Sequence, residues 1–357
     1  MTPSKSQVTR AGKILLSSKT EEDRNSALEI INQWRTNHLS PLTVIKNYFS
    51  KVLDKNLITP VLISQRLKRL TSIEYKLDLN KSMALGGMQD IGGFRVVVKD
   101  TKDLDKLKQI IETNAETKRY KLEYSDNYVL NPRTTGYRSI HYIYTYKSRL
   151  VQYDGVKLEF QIRTKLQHNW ATAVETAGMF TKTVLKSGRG PDEWLEFFEV
   201  VSSLFALKEN LDVLEKHKEI KMEELMIKCY QLTAKLKVLE ILNALRISAR
   251  HIDITKVEGD YYILNINFKK QRVGITVFPK KDYQYATSEY LNLEKKINPN
   301  ENAVVLVAAN SIKSLKKAYP SYFLDTSEFI EALRKVNLNC EKLKLITSVA
   351  FRNHLVL

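Results

Sequence analysis

Cysteine is nearly absent from this chain of 357 residues, which contains only Cys229 and Cys340. Two cysteines so far apart form neither a CxxC pair nor a disulfide framework, so we expect a reducing compartment and no zinc site. Long apolar runs are also lacking. No stretch approaches the roughly 18 residues that span a bilayer, and Ile14-Leu15-Leu16 is too short for the core of a signal peptide. These absences predict a cytoplasmic protein with no membrane partner.

Acidic residues are few: the chain has 40 Asp and Glu but 57 Lys and Arg, which gives a formal net charge of +17. A surplus of this size favours a polyanionic partner, such as nucleotide phosphates, RNA, DNA or an acidic membrane. The alternative is a lysine-rich surface that serves only solubility. Glycine and proline are not in excess, and the composition is that of a globular protein rather than a disordered one.

The order of local patterns in the first half of the chain predicts an α+β fold with a mixed β-sheet flanked by helices. Apolar residues at helical spacing open the chain. The tract Val61–Lys68 favours a strand over a helix, because a capping box at Thr71–Glu74 starts a helix just after it. Further strands are predicted at Phe94–Val98, Tyr137–Tyr146 and Val156–Arg163, with helices at 104–115 and from Thr164 to about Gly178.

Beyond the break at Lys186–Pro191, the patterns predict two long helices, Trp194–Glu209 and Glu219–Leu245. The period then changes and predicts a smaller C-terminal α+β domain, with strands at Tyr261–Phe268, Val273–Pro279 and Asn302–Ala308 and helices at Tyr285–Lys296 and Ser327–Val336. We therefore expect a domain over residues 1–250, a second domain over 251–345 and a tail over 346–357.

Three motifs carry candidate chemistry. In Glu159-Phe-Gln161-Ile-Arg163-Thr, polar residues share one face of an otherwise apolar strand, a pattern that suits magnesium and phosphate. A solvated outer strand face is the alternative. In the glycine-rich stretch from Gly86 to Arg95, Asp90 lies where the loop leads into a predicted strand, a position that suits a magnesium ligand. In Gly136-Tyr137-Arg-Ser-Ile-His141, Tyr137 is a candidate for stacking on a base, with a core aromatic as the alternative.

Together, these motifs resemble the synthetase domain of the RelA/SpoT family over about residues 55–180. The match adds Arg66-x-Lys68 with Ser72-Ile73-x-x-Lys76-Leu77 upstream, and His168-Asn-Trp-Ala downstream. The family transfers the β,γ-pyrophosphate of ATP, the donor, to a nucleotide 3′-hydroxyl. The resemblance implies that Asp90 and Glu159 hold Mg²⁺, that Glu159 also polarises the attacking hydroxyl, and that Tyr137 stacks on the acceptor. It implies that the acceptor is contacted by Arg133 and His141. It also implies that ATP and its phosphates are bound by Arg66, Lys68, Lys76, Arg95, Gln161 and Arg163.

Within the family, the stretch from His168 to Phe198 is similar to the toxic small alarmone synthetases, and among them to CapRel-like fused toxin–antitoxin proteins. This likeness implies that the acceptor is the 3′-terminal adenosine of tRNA, whose modification blocks translation. It also implies that the C-terminal domain, a zinc-free relative of a zinc finger, inhibits the enzyme until a phage major capsid protein binds. Tyr319 and Tyr322 match the tyrosine pair that blocks ATP binding in the closed state.

Two alternatives stay open. Asn131-Pro-Arg133 replaces the Lys-Pro-Lys usual in alarmone producers, but a small alarmone synthetase that makes (p)ppGpp or (p)ppApp from ATP and a nucleotide is still compatible with the motifs. A non-catalytic nucleic-acid-binding module on an inactive scaffold is the second. The intact pair of Asp90 and Glu159 argues against it.

Overall fold

The computed structural model describes residues 3–18, 20–181, 183–248, 259–267, 270, 272–297, 302–308 and 326–343. The chain divides into two compact units. The first consists of the described parts of Met1–Asp126, His141–Ile162 and Ile252–Ala318. The second consists of the described parts of Asn127–Ile140, Arg163–His251 and Tyr319–Leu357. None of the helices within these described ranges has the length and apolar character needed to cross a bilayer.

The first unit opens with three helices, α1 (Lys5–Ser17), α2 (Glu21–Asn37) and α3 (Leu39–Lys55). Ser4 and Gln7 form a capping box at the start of α1, which satisfies backbone N–H groups that have no partner inside the helix. The Thr20 side chain caps α2 ahead of an acidic first turn. Helices α1 and α2 bury their apolar faces in one cluster together with side chains of the later helix α4 (Leu70–Leu79).

An eight-stranded sheet forms the centre of the fold, with the strand order β3-β4-β5-β2-β1-β8-β6-β7. Helix α4 follows β1, and α5 (Thr101–Thr113) follows β2. The predicted α+β class with a mixed sheet and flanking helices is confirmed, as is the strand predicted at Val61–Lys68. The strands are β1 (Leu62–Leu67), β2 (Gly92–Val98), β3 (Tyr120–Asn127), β4 (Ile140–Tyr146), β5 (Lys157–Thr164), β6 (Tyr261–Asn267), β7 (Arg272–Phe278) and β8 (Asn302–Ala308).

One face of the sheet packs on α3 through a group of aromatic rings. Phe94 and Phe160, from the neighbouring strands β2 and β5, stack with their centroids 4.0 Å apart, and Phe49 of α3 lies 4.7 Å from Phe160. Tyr120 and Tyr144 complete the group and are also buried. Because side chains alternate along a strand, this apolar face leaves the opposite face of β2 and β5 free for polar groups.

The C-terminal strands extend the same sheet rather than forming a separate one. Strand β8 pairs antiparallel with β6 and also with β1, through Gln65↔Ala308 and Arg66↔Val307. Helix α10 (Tyr283–Lys296) packs on β6 and β8 through a small apolar cluster. The periodicity of apolar residues predicted these strands and this helix, but not the strands with which they pair. It indicates only which face of an element is buried. The functional division at residue 250 stays a prediction, but the sheet does not divide there.

The second unit is helical, with α6 (Lys165–Thr181), α7 (Asp192–Lys208), α8 (Met222–Lys235), α9 (Val238–Ser248) and α11 (Ser327–Lys342). Its core includes Trp170, Phe197 and Phe329, together with both free cysteines. The single helix predicted over Glu219–Leu245 is wrong. Lys237 has φ +48°, in the left-handed region that ends a right-handed helix. Among the described residues, no group of three or more His, Cys, Asp or Glu is placed to hold a metal.

His38, between α2 and α3, makes the stability of the first unit depend on pH. The side chain is fully buried, and its Nδ1 lies 2.8 Å from the Trp34 carbonyl oxygen. Burial lowers the pKa of His38 to about 4, against the opposing effect of that hydrogen bond. The unfolded chain, with an ordinary histidine pKa near 6.5, therefore binds a proton first as the pH falls.

We expect the free energy of unfolding to fall by about 2 kcal/mol more in the natural chain than in His38→Asn between pH 7.5 and pH 5. The Asn amide keeps a donor near the position of Nδ1 but does not titrate. Urea unfolding of both proteins at the two pH values measures the difference. Equal losses in the two proteins would contradict a lowered histidine pKa at this position.

Candidate active site

The sheet face opposite the aromatic group gathers most of the predicted phosphate-binding residues. Arg66 of β1 lies opposite Gly93 of β2, and Ser64 lies opposite Arg95. Directly opposed residues of antiparallel strands share a face, so Arg66 and Arg95 lie on the same side. Arg95 Nε donates to Gln161 Oε1 of β5 over 3.2 Å, which extends the polar face across a third strand.

Asp90 lies between two lysines at one edge of this face. Lys68 Nζ is 2.9 Å from its Oδ2, and Lys76 Nζ is 3.1 Å from its Oδ1. Lys68 directly follows β1, Lys76 belongs to α4, and Asp90 precedes β2. Burial lowers the pKa of Lys68, while the charge and hydrogen bond of Asp90 oppose that shift. The structure therefore brings a predicted metal ligand together with two predicted phosphate-binding cations.

Glu159 lies on β5 with both carboxylate oxygens engaged. His141 Nδ1 is 3.0 Å from Oε1, and Gln161 Nε2 donates to Oε2 over 2.7 Å. Burial raises the pKa of Glu159, but His141, Gln161 and the charge of Lys68 together hold it well below its usual range. Glu159 is therefore a carboxylate at neutral pH, and Lys68 links it electrostatically to the Asp90 group.

The donors on this face fit a magnesium ion that arrives with a nucleotide. Mg²⁺ is usually held by one or two carboxylates together with substrate phosphates and water. Asp90 and Glu159 supply two partly exposed carboxylates, with side-chain exposures of 19% and 16%. Gly93 lies beside Glu159, since a Cβ at this position would be 3.7 Å from Oε2. A glycine here leaves that oxygen open to a ligand.

The predicted acceptor residues Arg133 and Tyr137 lie in the second unit. The Arg133 guanidinium lies 4.6 Å from the centroid of the Tyr128 ring, and Lys186 Nζ lies 4.9 Å from the centroid of Tyr137. The two rings are 6.1 Å apart and tilted. Tyr137 is only 5% exposed and belongs to the apolar core of this unit. Its predicted stacking role therefore requires Lys186 to move off the ring.

Gly136 sets the position of Tyr137. Its φ is +90°, and a Cβ at this position would lie 2.7 Å from the Ser202 Cβ. Ser202 Oγ also donates to the Gly136 carbonyl oxygen over 2.6 Å. Both the left-handed backbone and the close approach require glycine, so the backbone before Tyr137 is fixed against α7.

Arg163, predicted to line the ATP face, is buried in the second unit and contacts His168 Nδ1. It is the residue before the last one of β5, and α6 begins two residues after it. Tyr319 and Tyr322, the predicted autoinhibitory pair, lie outside the described residues. Their role stays a prediction.

Three features of the site have no signal in the sequence. One is the contact of His141 with Glu159, and the predicted acceptor role of His141 stays a prediction. Lys186 and Tyr128 contact the acceptor candidates without belonging to the motifs that predicted them. These contacts join residues from different elements, and no fixed spacing announces such pairs.

Comparison with known proteins matches residues 65–182 to the family model described as the region found in RelA / SpoT proteins. The matched span is about a third of the chain and contains Arg66, Asp90, Tyr137 and Glu159. The predicted RelA/SpoT-type domain is confirmed over this span. No curated protein matches the chain significantly.

Solved structures similar to the chain include a GTP pyrophosphokinase family protein from Streptococcus pneumoniae, with 19% identity, a TM-score of 0.41, and coverage of 54% of this chain and 94% of that one. Small alarmone synthetase 1 from Bacillus subtilis, solved bound to its product pppGpp, has 20% identity, a TM-score of 0.41 and coverages of 49% and 90%. Small alarmone synthetase 2 from the same organism has 20% identity, a TM-score of 0.42 and coverages of 50% and 93%. Because these structural similarities are weak, the RelA/SpoT assignment of residues 65–182 rests on the match to the family model.

Proposed function

Because residues 65–182 form a RelA/SpoT region, we propose that the chain is a pyrophosphotransferase that uses ATP and Mg²⁺ to modify the 3′ end of tRNA. The observation that supports transfer chemistry is the polar face, where two carboxylates lie among Arg66, Lys68, Lys76 and Arg95. Transfer of a phosphorus group needs alignment and neutralisation of charge more than covalent help from the protein.

In this proposal, the acceptor 3′-oxygen attacks the β-phosphorus of ATP, the bond between the α- and β-phosphates breaks, and AMP leaves. Lys68, Lys76, Arg66 and Arg95 neutralise the phosphates. Glu159 accepts the hydrogen bond of the attacking hydroxyl, and His141 Nδ1–H donates to Glu159 Oε1 and orients the carboxylate. The proton of the hydroxyl passes to Glu159 and from there to water. Asp90 and Glu159 would hold Mg²⁺, which supplies charge neutralisation at the transferred group.

Two features support tRNA as the acceptor. The formal net charge of +17 suits a nucleic-acid substrate, whose phosphates dominate binding. In the second unit, two cations flank two aromatic rings in the order Arg133, Tyr128, Tyr137, Lys186. Cations beside aromatic rings are typical of surfaces that bind single-stranded nucleic acid.

The proposal includes regulation, which rests on the resemblance of the C-terminal sequence. The C-terminal region would keep the enzyme inactive until a phage capsid protein binds, and Tyr319 and Tyr322 would occupy the ATP site in the closed state. We expect the full chain carrying Tyr319→Ala and Tyr322→Ala to be active without capsid protein. If that protein still needed capsid protein for activity, the tyrosine pair would not be the inhibitor.

The acceptor is tested by incubating the full chain with γ-³²P-labelled ATP and either bulk tRNA, GDP and GTP, or adenine nucleotides. The capsid protein or the double tyrosine substitution provides the active form. We expect label on tRNA, lost when the 2′,3′-diol at the 3′ end of the tRNA is first cleaved with periodate. Label on a free nucleotide alone would identify a small alarmone synthetase instead.

A matched substitution tests the proposed acceptor surface. Arg133→Ala should raise the KM for tRNA several-fold and leave the KM for ATP within about twofold, because a single phosphate-contacting cation contributes to nucleic-acid affinity only. Arg119→Ala, an exposed arginine of the first unit, is the control. Equal effects of the two substitutions would place tRNA elsewhere.

A further inference from the structure

A buried ion pair joins helix α2 to helix α10 in the C-terminal part of the first unit. Arg35 of α2 is fully buried, and the side chain of Glu294 in α10 is 5% exposed. Arg35 Nη1 donates to Glu294 Oε2 over 2.6 Å, and Nη2 also donates to the Tyr290 hydroxyl. That hydroxyl in turn donates to Glu294 Oε1 over 2.8 Å. Charges are tolerated at such depth only when hydrogen bonds satisfy them from several sides.

The same pair holds the backbone on both sides of Arg69. Arg35 Nε and Nη2 donate to the Lys68 carbonyl oxygen over 3.1 and 3.0 Å. Glu294 Oε1 accepts from the Leu70 backbone N–H over 2.9 Å. Leu70 is the first residue of α4, whose N-cap Arg69 provides no side-chain hydrogen bond. Glu294 therefore supplies the acceptor, and the negative charge, that a helix N-terminus favours.

This backbone carries two candidate phosphate-binding lysines. The carbonyl oxygen of Lys68 accepts from Arg35. Lys76 lies within α4, and the first backbone N–H of that helix donates to Glu294. Both ammonium groups end on Asp90. Arg35 and Glu294 bind backbone atoms of Lys68 and Leu70. Their influence on the lysine ammonium groups is therefore indirect.

We propose that Arg35, Tyr290 and Glu294 are positioning residues that set Lys68 and Lys76 for the ATP phosphates, so that helix α10 is a required part of the transfer site. This inference rests on the proposed function of the polar face. It also gives the C-terminal region a second role, because a partner that displaces α10 would misplace both lysines.

The test uses the full chain in its active form with Glu294→Gln, which keeps the size of the side chain and removes its charge. Glu289→Gln, on the same helix and partly exposed, is the matched control. We expect kcat/KM for ATP to fall about 100-fold in Glu294→Gln, the loss associated with a small misplacement of a catalytic group. The control should stay within about twofold of the natural chain.

A double substitution separates positioning from general loss of structure. If Glu294 acts through Lys68, Glu294→Gln should lower kcat/KM much less in a Lys68→Ala background than in the natural one, since coupled residues are not additive. The same loss in both backgrounds, or no loss in the natural one, would overturn the proposal. Should Glu294→Gln fail to fold, Tyr290→Phe removes one hydroxyl and should show the same non-additivity with a smaller loss.

Hydrogen exchange gives a readout that does not depend on activity. Peptides covering residues 68–79 should exchange faster in Glu294→Gln than in Glu289→Gln, while peptides of α5 should not change. A natural chain that transfers no pyrophosphate would count against the proposed function alone. Unchanged exchange at residues 68–79 would count against the positioning network itself.

Discussion

Glu159→Gln is expected to lower the rate of pyrophosphate transfer on the order of 10³-fold or more, in a protein that remains folded. The amide keeps the size of the side chain but removes the charge that faces His141, Lys68 and the proposed magnesium ion. It also places an NH₂ group among partners that already include the donor Gln161 Nε2. Initial rates with labelled ATP, together with a thermal unfolding curve, measure the two effects separately.

Glu123→Gln is the matched control for that experiment. Glu123 lies on β3, accepts a hydrogen bond from the Thr145 hydroxyl over 2.6 Å and also interacts with Lys157. The same chemical change is therefore made on the same sheet, at a carboxylate that pairs with Thr145 and Lys157 rather than with His141 or Lys68, and should leave the rate within about twofold. Full activity in Glu159→Gln would overturn the role assigned to Glu159. If the natural chain in its active form transferred label to neither tRNA nor a free nucleotide, a non-catalytic nucleic-acid module would be the better account.

Strand alternation was sufficient to predict the polar face, because β5 is apolar on one side only. Phe160 packs among the aromatic rings, while Glu159 and Gln161 lie on the opposite side, as the pattern indicates. Arg163 has the same parity as Glu159 and Gln161, but its side chain is buried beside His168, next to the end of the strand. Its predicted role at the ATP phosphates stays a prediction. Periodicity holds only as long as the strand remains regular and its surroundings do not change.

Pairings across the chain could not be predicted in this way. Arg35 and Glu294 are 259 residues apart in sequence, and each lies in an amphipathic helix where a charged residue ordinarily faces solvent. Strand β8 was predicted, but its position beside β1 depends on register and on closure of a long loop. Strand β3 was missed altogether. Most of its side chains are exposed, so it lacks the apolar alternation that marks a half-buried strand.

Truncation of the chain at residue 250 is expected to give an inactive and aggregation-prone protein rather than a released enzyme. The cut removes β8 from the edge of β1, and an unpaired edge of that kind invites association with other chains. It also removes Glu294 and Tyr290, the ion-pair and hydrogen-bond partners of the Arg35 guanidinium. A loss of this kind costs about 3–5 kcal/mol, a large part of the 5–15 kcal/mol that typically stabilises a domain.

Soluble yield, sedimentation and a transfer assay on the truncated chain measure this outcome. A soluble truncated protein with more activity than the full chain would show that strands β1–β5 form a stable sheet without β8. The C-terminal region would then only inhibit. The full chain with Tyr319→Ala and Tyr322→Ala makes the opposite comparison, because every described element is retained. Activity in that protein together with inactivity of the truncation would mean that one C-terminal region both completes the transfer site and restrains it. Release would then have to come from a local rearrangement around the tyrosines, with α10 still bound to Lys68 and Leu70.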